Sequence, residues 1–494
     1  MASGFDGVGF TCLPKFEMLT FNTQSMTNAM QLLPVWLDRF NHPTGSTLGF
    51  FGASTGIGGV VGLVLLSWVG DKFGRRAPTV IGALLIVIGA LIQTWASDLG
   101  MFIGGKILLG CGVSTVQLGA PVLVAELSHP KERATVGTFY NTSIYLGYVV
   151  GAWITFGVAK MNNQWQWKIP TLLQILPSAY QLALIWFCPE SPRWLVAHGH
   201  EERAKAILIK YHGNGDPASP LVDIEFAEIK EAIARDAEAN TTWREVFRSR
   251  TNWKRIGLCI CVAVFSQTTG NLLVSNYLSS ILIDTGLNSS FDSTLINGMV
   301  TLWSYIVTLA VAALIDRFPR RTFFLFGSGG TMVVFIVWTI CAQQYSERNS
   351  VTAGRVVIAC IFLFQTFYSI AWLNMVALYP LEICPYTLRA KMWALVLLVI
   401  YAAQIFGNYV NPVGIAAVGW KFYIYYCVWV TIIFFIVYFC FVETQGPTLE
   451  ELALIFDDAA AGDRKASVNG SDVGHEKTSV KVVEESAKIE QYDP

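Results

Sequence analysis

Runs of about twenty apolar residues, separated by short polar loops, recur along the whole chain. They fall near 48–69, 78–97, 99–125, 134–158, 168–188, 254–283, 293–315, 322–343, 352–380, 390–414 and 420–441. A bilayer-crossing helix needs roughly 20 such residues, so these eleven segments predict an all-α polytopic membrane protein. A membrane barrel would instead alternate apolar and polar positions in short stretches. Residues 1–35 hold only a broken apolar stretch, interrupted by Asp6, Pro14, Lys15 and Glu17, which predicts a truncated or disrupted first helix. The boundaries that follow are an N-terminal transmembrane half at 1–188, a polar linker at 189–253, a C-terminal transmembrane half at 254–443 and a tail at 444–494. Within the linker, 201–212 and 222–239 carry helical periodicity. Beyond about 457 the Ser, Asp, Glu and Lys content predicts disorder.

Composition agrees, with 53% hydrophobic and 14% charged residues, against about 25% charged in soluble domains. A net charge of -1 gives no field for nucleic acid. The ten cysteines are scattered and lack zinc-site spacing, and the six histidines fall in predicted loops or tails. No metal, cofactor or enzymatic triad is therefore expected. Lys and Arg placement orients the chain, because 26 of the 34 fall on one set of alternate loops and the tail, and six on the other. By the positive-inside bias, the linker and the C-terminus should be cytoplasmic.

The charged loops also repeat. GDKFGRR at Gly70 returns as DRFPRR at Asp316, Glu126 and Arg133 return as Glu382 and Arg389, and Glu190 returns as Glu443. The offsets are 245, 256 and 253, in the same order, as expected of two homologous halves. Partly buried ions at helix ends need partners. Asp71, Arg75, Arg76, Glu126, Arg133, Glu190 and Arg193 are therefore expected to form a cytoplasmic gate in the first half. Asp316, Arg320, Arg321, Glu382, Arg389 and Glu443 would form its counterpart.

Together with ELSHPKER at Glu126, PESPRWL at Pro189, YPLEICPYTLR at Tyr379 and VETQGPTLEEL at Val442, these motifs resemble the sugar porter family of the major facilitator superfamily. FNHPTGS at Phe40, YNTSIYLG at Tyr140 and QTTGNLLVSNYL at Gln267 resemble most the fungal lactose permease and hexose transporter branch. The resemblance implies two six-helix halves, alternating access and a sugar held at the midplane between amides and aromatic rings. Carried over by position, it points to Asn141 and Gln267 as substrate-binding, with Asn271 one place before the family's common asparagine; Trp372, elsewhere on the tenth helix, and Asn374, Asn408 and Asn411, polar groups in apolar stretches, are further substrate-binding candidates. The tryptophan that many hexose carriers have five residues before the tenth-helix glutamate is Ala377 here, which implies a roomier pocket and keeps a disaccharide alongside a hexose as cargo.

Asp6, in GFDG, matches the first-helix acid of proton-coupled relatives, and Lys106 stands where their fourth-helix arginine stands. That pairing implies a proton as second partner, since a cation beside a carboxylate sets its protonation. Facilitated diffusion and a non-transporting sugar sensor are the rival readings. A GxxxxGK[ST] loop for ATP-driven transport is absent from the sequence. Residues 8–24, VGFTCLPKFEMLTFNTQ, separate words that are adjacent in relatives, as a translated in-frame intron would. A monomer in the plasma membrane is expected.

Overall fold

The computed structural model describes residues 30–31, 33–129, 133–213, 215–216, 219–239, 247, 250–284, 289–315, 317–348, 350–384 and 386–445. Of these, 133–142, 235–239, 250–251, 279–280, 283–284, 290, 386–387 and 389–390 are described by their backbone alone. Asp6, segment 8–24, Asp316 and the tail beyond 445 lie outside the described residues.

All regular structure among the described residues is helical. In chain order the helices are α1 (Pro34–Arg39), α2 (Gly45–Leu66), α3 (Val69–Phe73), α4 (Arg76–Thr94), α5 (Leu99–Leu127), α6 (Arg133–Val158), α7 (Trp165–Leu173) and α8 (Ile175–Leu184). The linker contributes α9 (Pro192–Ala197), α10 (Glu201–Tyr211) and α11 (Pro220–Ala239). There follow α12 (Arg250–Thr268), α13 (Asn271–Asp284), α14 (Ser290–Leu314), α15 (Arg320–Arg348), α16 (Val351–Tyr368), α17 (Met375–Ile383), α18 (Tyr386–Val418) and α19 (Phe422–Cys440). Among the described residues, nine stretches are long and apolar enough to cross a membrane. One of them, Lys391–Cys440, folds back on itself at Gly419–Lys421, and the shorter Ser143–Val158 lies within α6. Every one of the eleven apolar segments is thus helical.

Three spans are built from two pieces. At Gly270 the backbone takes φ +105°, a conformation open to glycine, and a Cβ there would run into the Phe335 ring, so α12 and α13 meet at a break. The strip Ser369–Leu373 is a π-helical turn between α16 and α17, and Gln174 divides α7 from α8. Such breaks are tolerated in a membrane where they face a polar cavity or buried protein.

Close approach of helices relies on glycine. Gly49, Gly52, Gly56 and Gly59 lie three or four apart, so they share one face of α2, and that face meets Tyr409, Asn408, Ile405 and Tyr401 of α18. A Cβ at Gly49 would lie 2.8 Å from the Tyr409 carbonyl oxygen, and one at Gly56 would lie 2.9 Å from Ile405. Lipid tails are as apolar as leucine, so such seams hold by van der Waals fit rather than by a hydrophobic drive. The α2–α18 seam joins the two halves. At one end of the first half, Trp36, Phe40, Phe51, Phe102 and Trp167 form a buried aromatic box that ties α1 to α2, α5 and α7.

The opposite end carries the repeated charges, and their first task is to finish helices. The Glu190 carboxylate accepts the backbone N–H of Arg75 at 2.8 Å and of Arg76 at 3.4 Å, which caps the start of α4. Glu443 does the same for α15, accepting from Arg320 at 2.8 Å and Arg321 at 3.0 Å. The first N–H groups of a helix have no internal partner and sit at its positive end, so a carboxylate satisfies both needs. Gly74 leaves room for the Glu190 carboxylate, at φ +95°; in the second half Pro319 stands there, with no N–H to satisfy.

Two predictions follow from this architecture. Removing a cap costs about 1–2 kcal/mol in soluble helices, so Glu443→Ala and Glu190→Ala should each lower the thermal unfolding midpoint of detergent-solubilised protein, whereas Asp38→Ala, on an exposed surface, should not. Gly59→Leu would place a side chain against the Tyr401 ring. The thermal unfolding midpoint of the solubilised protein should fall, since overpacking of this kind costs about 1–3 kcal/mol.

Candidate functional site: a polar cavity between the halves

Around the helix breaks lies a cavity of about 170 Å³. Its wall includes Tyr145 and Tyr148 from α6 of the first half. The second half supplies Gln267, Asn271, Asn297, Gln365, Trp372 and Gln404 from α12, α13, α14, α16, the π-helical turn and α18. Its polar side chains are amides and hydroxyls rather than charges. The Gln267 amide donates to Ser266 Oγ at 3.1 Å and accepts from Gln404 Nε2 at 3.4 Å. Asn271 Oδ1 accepts from Ser275 Oγ at 3.0 Å. The Tyr368 hydroxyl turns away to donate to the Ser266 carbonyl at 2.9 Å, so its ring rather than its oxygen serves the wall. Trp372 is fully buried, packs on Phe265 and Phe324, and its Nε1 has no partner among the described residues.

Of the positions singled out in the sequence, Gln267, Asn271 and Trp372 come together on this wall. Asn141 is a backbone position of α6, four residues before Tyr145, and its side chain is outside the described set. Asn374, Asn408 and Asn411 do not line the cavity. Asn408 accepts from Asn276 Nδ2 at 2.7 Å, and its carbonyl accepts from the Tyr277 hydroxyl at 2.6 Å, which ties α13 to α18. Asn411 accepts from the Tyr426 hydroxyl at 2.5 Å, tying α18 to α19. Asn374 has a buried Nδ2 without a partner among the described residues.

Sequence reading missed Tyr145, Tyr148, Asn297, Ser304, Gln365 and Gln404. A usable signal exists for α14, where Asn297, Thr301, Ser304 and Thr308 recur every three or four residues in an apolar span and so share one helix face. One turn from Gln404, Tyr401 donates its hydroxyl to Gln117 Oε1 of α5 at 2.7 Å, a hydrogen bond between the halves. Beside it Leu63, Leu118, Trp393 and Leu397 close the wall towards the capped helix ends.

At those ends the repeated charges assemble in two matching corners. Besides capping, Glu190 is followed by Ser191, whose hydroxyl donates to Glu126. Glu443 is followed by Thr444, whose hydroxyl donates to Glu382 at 2.5 Å. Arg320 reaches Glu382 with Nε at 3.3 Å, whereas Arg75 pairs with Asp71 at 2.9 Å. The second arginine of each pair lies over an aromatic ring at 5.8 Å, Arg76 over Trp186 and Arg321 over Tyr438. Arg193 lies on α9 at the first corner. Arg133 and Arg389 start α6 and α18, their side chains outside the described set.

Lys106 is 3% exposed inside α5, where it donates from Nζ to the Phe51 carbonyl at 2.8 Å and stands 3.8 Å from the Phe51 ring centroid. No carboxylate pairs with it among the described residues. Amides, hydroxyls and aromatic faces around an enclosed space suit a neutral, polyhydroxylated ligand, since each hydroxyl both donates and accepts.

Comparison with known proteins gives the same picture. The chain is similar to a high-affinity glucose transporter of Kluyveromyces lactis, 28% identical over 471 residues, covering 91% of this chain and 85% of that protein. It is also similar to the sugar transporter STL1 of Saccharomyces cerevisiae, 28% identical over 413 residues, covering 82% and 71%. Among solved structures, the inward-open xylose transporter XylE of E. coli superposes with a TM-score of 0.73 at 21% identity, over 91% of this chain and 99% of that one, which establishes the shared fold. The family model described as "Sugar (and other) transporter" matches residues 10–456. The chain therefore belongs to this family, the sugar porters of the major facilitator superfamily.

Proposed function

We propose that this transporter carries a hexose or a lactose- or cellobiose-like disaccharide across the plasma membrane by alternating access, driven by a co-transported proton. The observation that carries the reading is the uncharged, amide- and aromatic-lined cavity between the halves. Sugar hydroxyls exchange water for amide and hydroxyl partners there, and ring CH faces pack on Tyr and Trp. The α2–α18 glycine seam and the Tyr401–Gln117 bond are contacts that a rocking motion must make and break. The repeated charge corners are the parts that hold one end closed, and the linker and both termini lie on their, cytoplasmic, side. The protein works as a monomer.

Proton coupling is supported by Lys106, a buried cation with no carboxylate partner among the described residues. In this reading Asp6 supplies the partner, and its protonation state is linked to sugar occupancy. A similar solved structure is that of the proton:xylose symporter XylE, and a similar protein of Kluyveromyces lactis is a glucose transporter. A facilitative carrier needs no such pair, and a sensor needs no flux.

Expressed in cells that lack their own sugar carriers, the protein should accumulate labelled D-glucose or cellobiose above the external concentration, and a protonophore should abolish accumulation. Equilibration without accumulation would overturn coupling, and sugar binding without flux would favour a sensor. Asp6→Asn should remove accumulation while leaving exchange of labelled for unlabelled sugar. Undiminished accumulation by that variant would rule out the aspartate as the coupling group.

A further inference from the structure

The wall formed by α14 and α16 holds an amide with unused bonding capacity. Gln365 is 9% exposed and lines the cavity. Its Nε2 donates to Ser304 Oγ at 2.9 Å, and Ser304 Oγ lies 3.2 Å from Ser369 Oγ, so the amide is held in place by a short hydroxyl chain. All three side chains are buried in otherwise apolar helices. One N–H of a carboxamide is thereby consumed, and its carbonyl oxygen and second N–H have no partner among the described residues. A buried amide with most of its capacity unmet is costly unless a ligand or water supplies the rest. The neighbouring Gln267 differs, because Ser266 and Gln404 occupy both ends of its amide.

We propose that Gln365 is a specificity-determining residue that binds two adjacent hydroxyls of the transported sugar, with Ser304 and Ser369 as positioning residues. This rests on the sugar-transport reading above. A carboxamide presents its oxygen and remaining N–H side by side, as acceptor and donor, and neighbouring equatorial hydroxyls of a pyranose match that pair. The sugar would thus be read by Gln267 and by Gln365, with the aromatic Tyr145 and Tyr148 of α6 lining the same cavity. Preorganisation by Ser304 lowers the ordering cost that a free glutamine would incur.

The test uses the full-length protein and D-glucose with its 2-, 3-, 4- and 6-deoxy analogues as competitors of labelled uptake. Gln365→Leu should raise the KM for D-glucose about tenfold, the loss of one to two buried hydrogen bonds, with the maximal rate changed less than twofold and surface expression intact. The analogues that lack a contacted hydroxyl should bind the unaltered protein more weakly, and Gln365→Leu should weaken them no further. Ser304→Ala, which keeps the amide but frees it, should give a smaller loss confined to the same hydroxyls, and it carries the test if Gln365→Leu fails to reach the surface. Equal weakening of every analogue would show a merely structural role and overturn the proposal, as would unchanged KM values. Absence of any uptake or binding of D-glucose and cellobiose by the unaltered protein would overturn the sugar reading itself.

Discussion

A carboxylate placed at the start of a membrane helix is the contact on which much of this structure rests. The chain enters α4 and α15 from a charged loop, and in each case backbone N–H groups would be left unsatisfied at the edge of a medium that offers no water. Glu190 and Glu443 solve the problem from the far end of their own halves, 115 and 123 residues downstream of Arg75 and Arg320. Each cap therefore also ties the end of its half's last span to the start of an earlier one, α4 or α15. The next residue in each case, Ser191 or Thr444, donates its hydroxyl to Glu126 or Glu382, so helix termination and the charge corners are one construction.

Between the corners and the aromatic box, the halves meet along surfaces with little side chain. The glycine face of α2 lets α18 come close enough for backbone contact, and the broken helices α12–α13 and α16–α17 open a polar space beside it. Packing this tight leaves no room for a Cβ at Gly49, Gly56 or Gly59 unless α18 shifts. The cavity wall inherits its polarity from those breaks, since Gln267 and Asn271 flank the Gly270 turn and Trp372 sits in the π-helical one.

Much of this was legible in the sequence. Hydropathy marks the helices because the bilayer allows no other solution, and the charge repeat marks the two halves because loops at one membrane face share one task. The cavity was harder to read. An asparagine in an apolar span reads the same whether it faces a ligand or bridges helices, and only coordinates separate Asn271, on the wall, from Asn408 and Asn411, spent on Asn276, Tyr277 and Tyr426. Gln365 gave no signal because its meaning depends on Ser304, 61 residues away on another helix. The helix breaks were not read either, although the polar run from Gln267 to Asn271 around Gly270 was a usable signal; the Ser369–Leu373 turn, mostly apolar, gave none.

The offset of 256 residues that relates Glu126 to Glu382 also relates Tyr145 to Tyr401 and Gln117 to Leu373. Tyr401 bonds to Gln117 across the halves, while their counterparts Tyr145 and Leu373 both line the cavity. Duplication has left the two flanks of the pathway unequal. One flank is tied by a side-chain hydrogen bond that its counterpart cannot make, because leucine carries no acceptor, so parting the halves would break such a bond on one flank only.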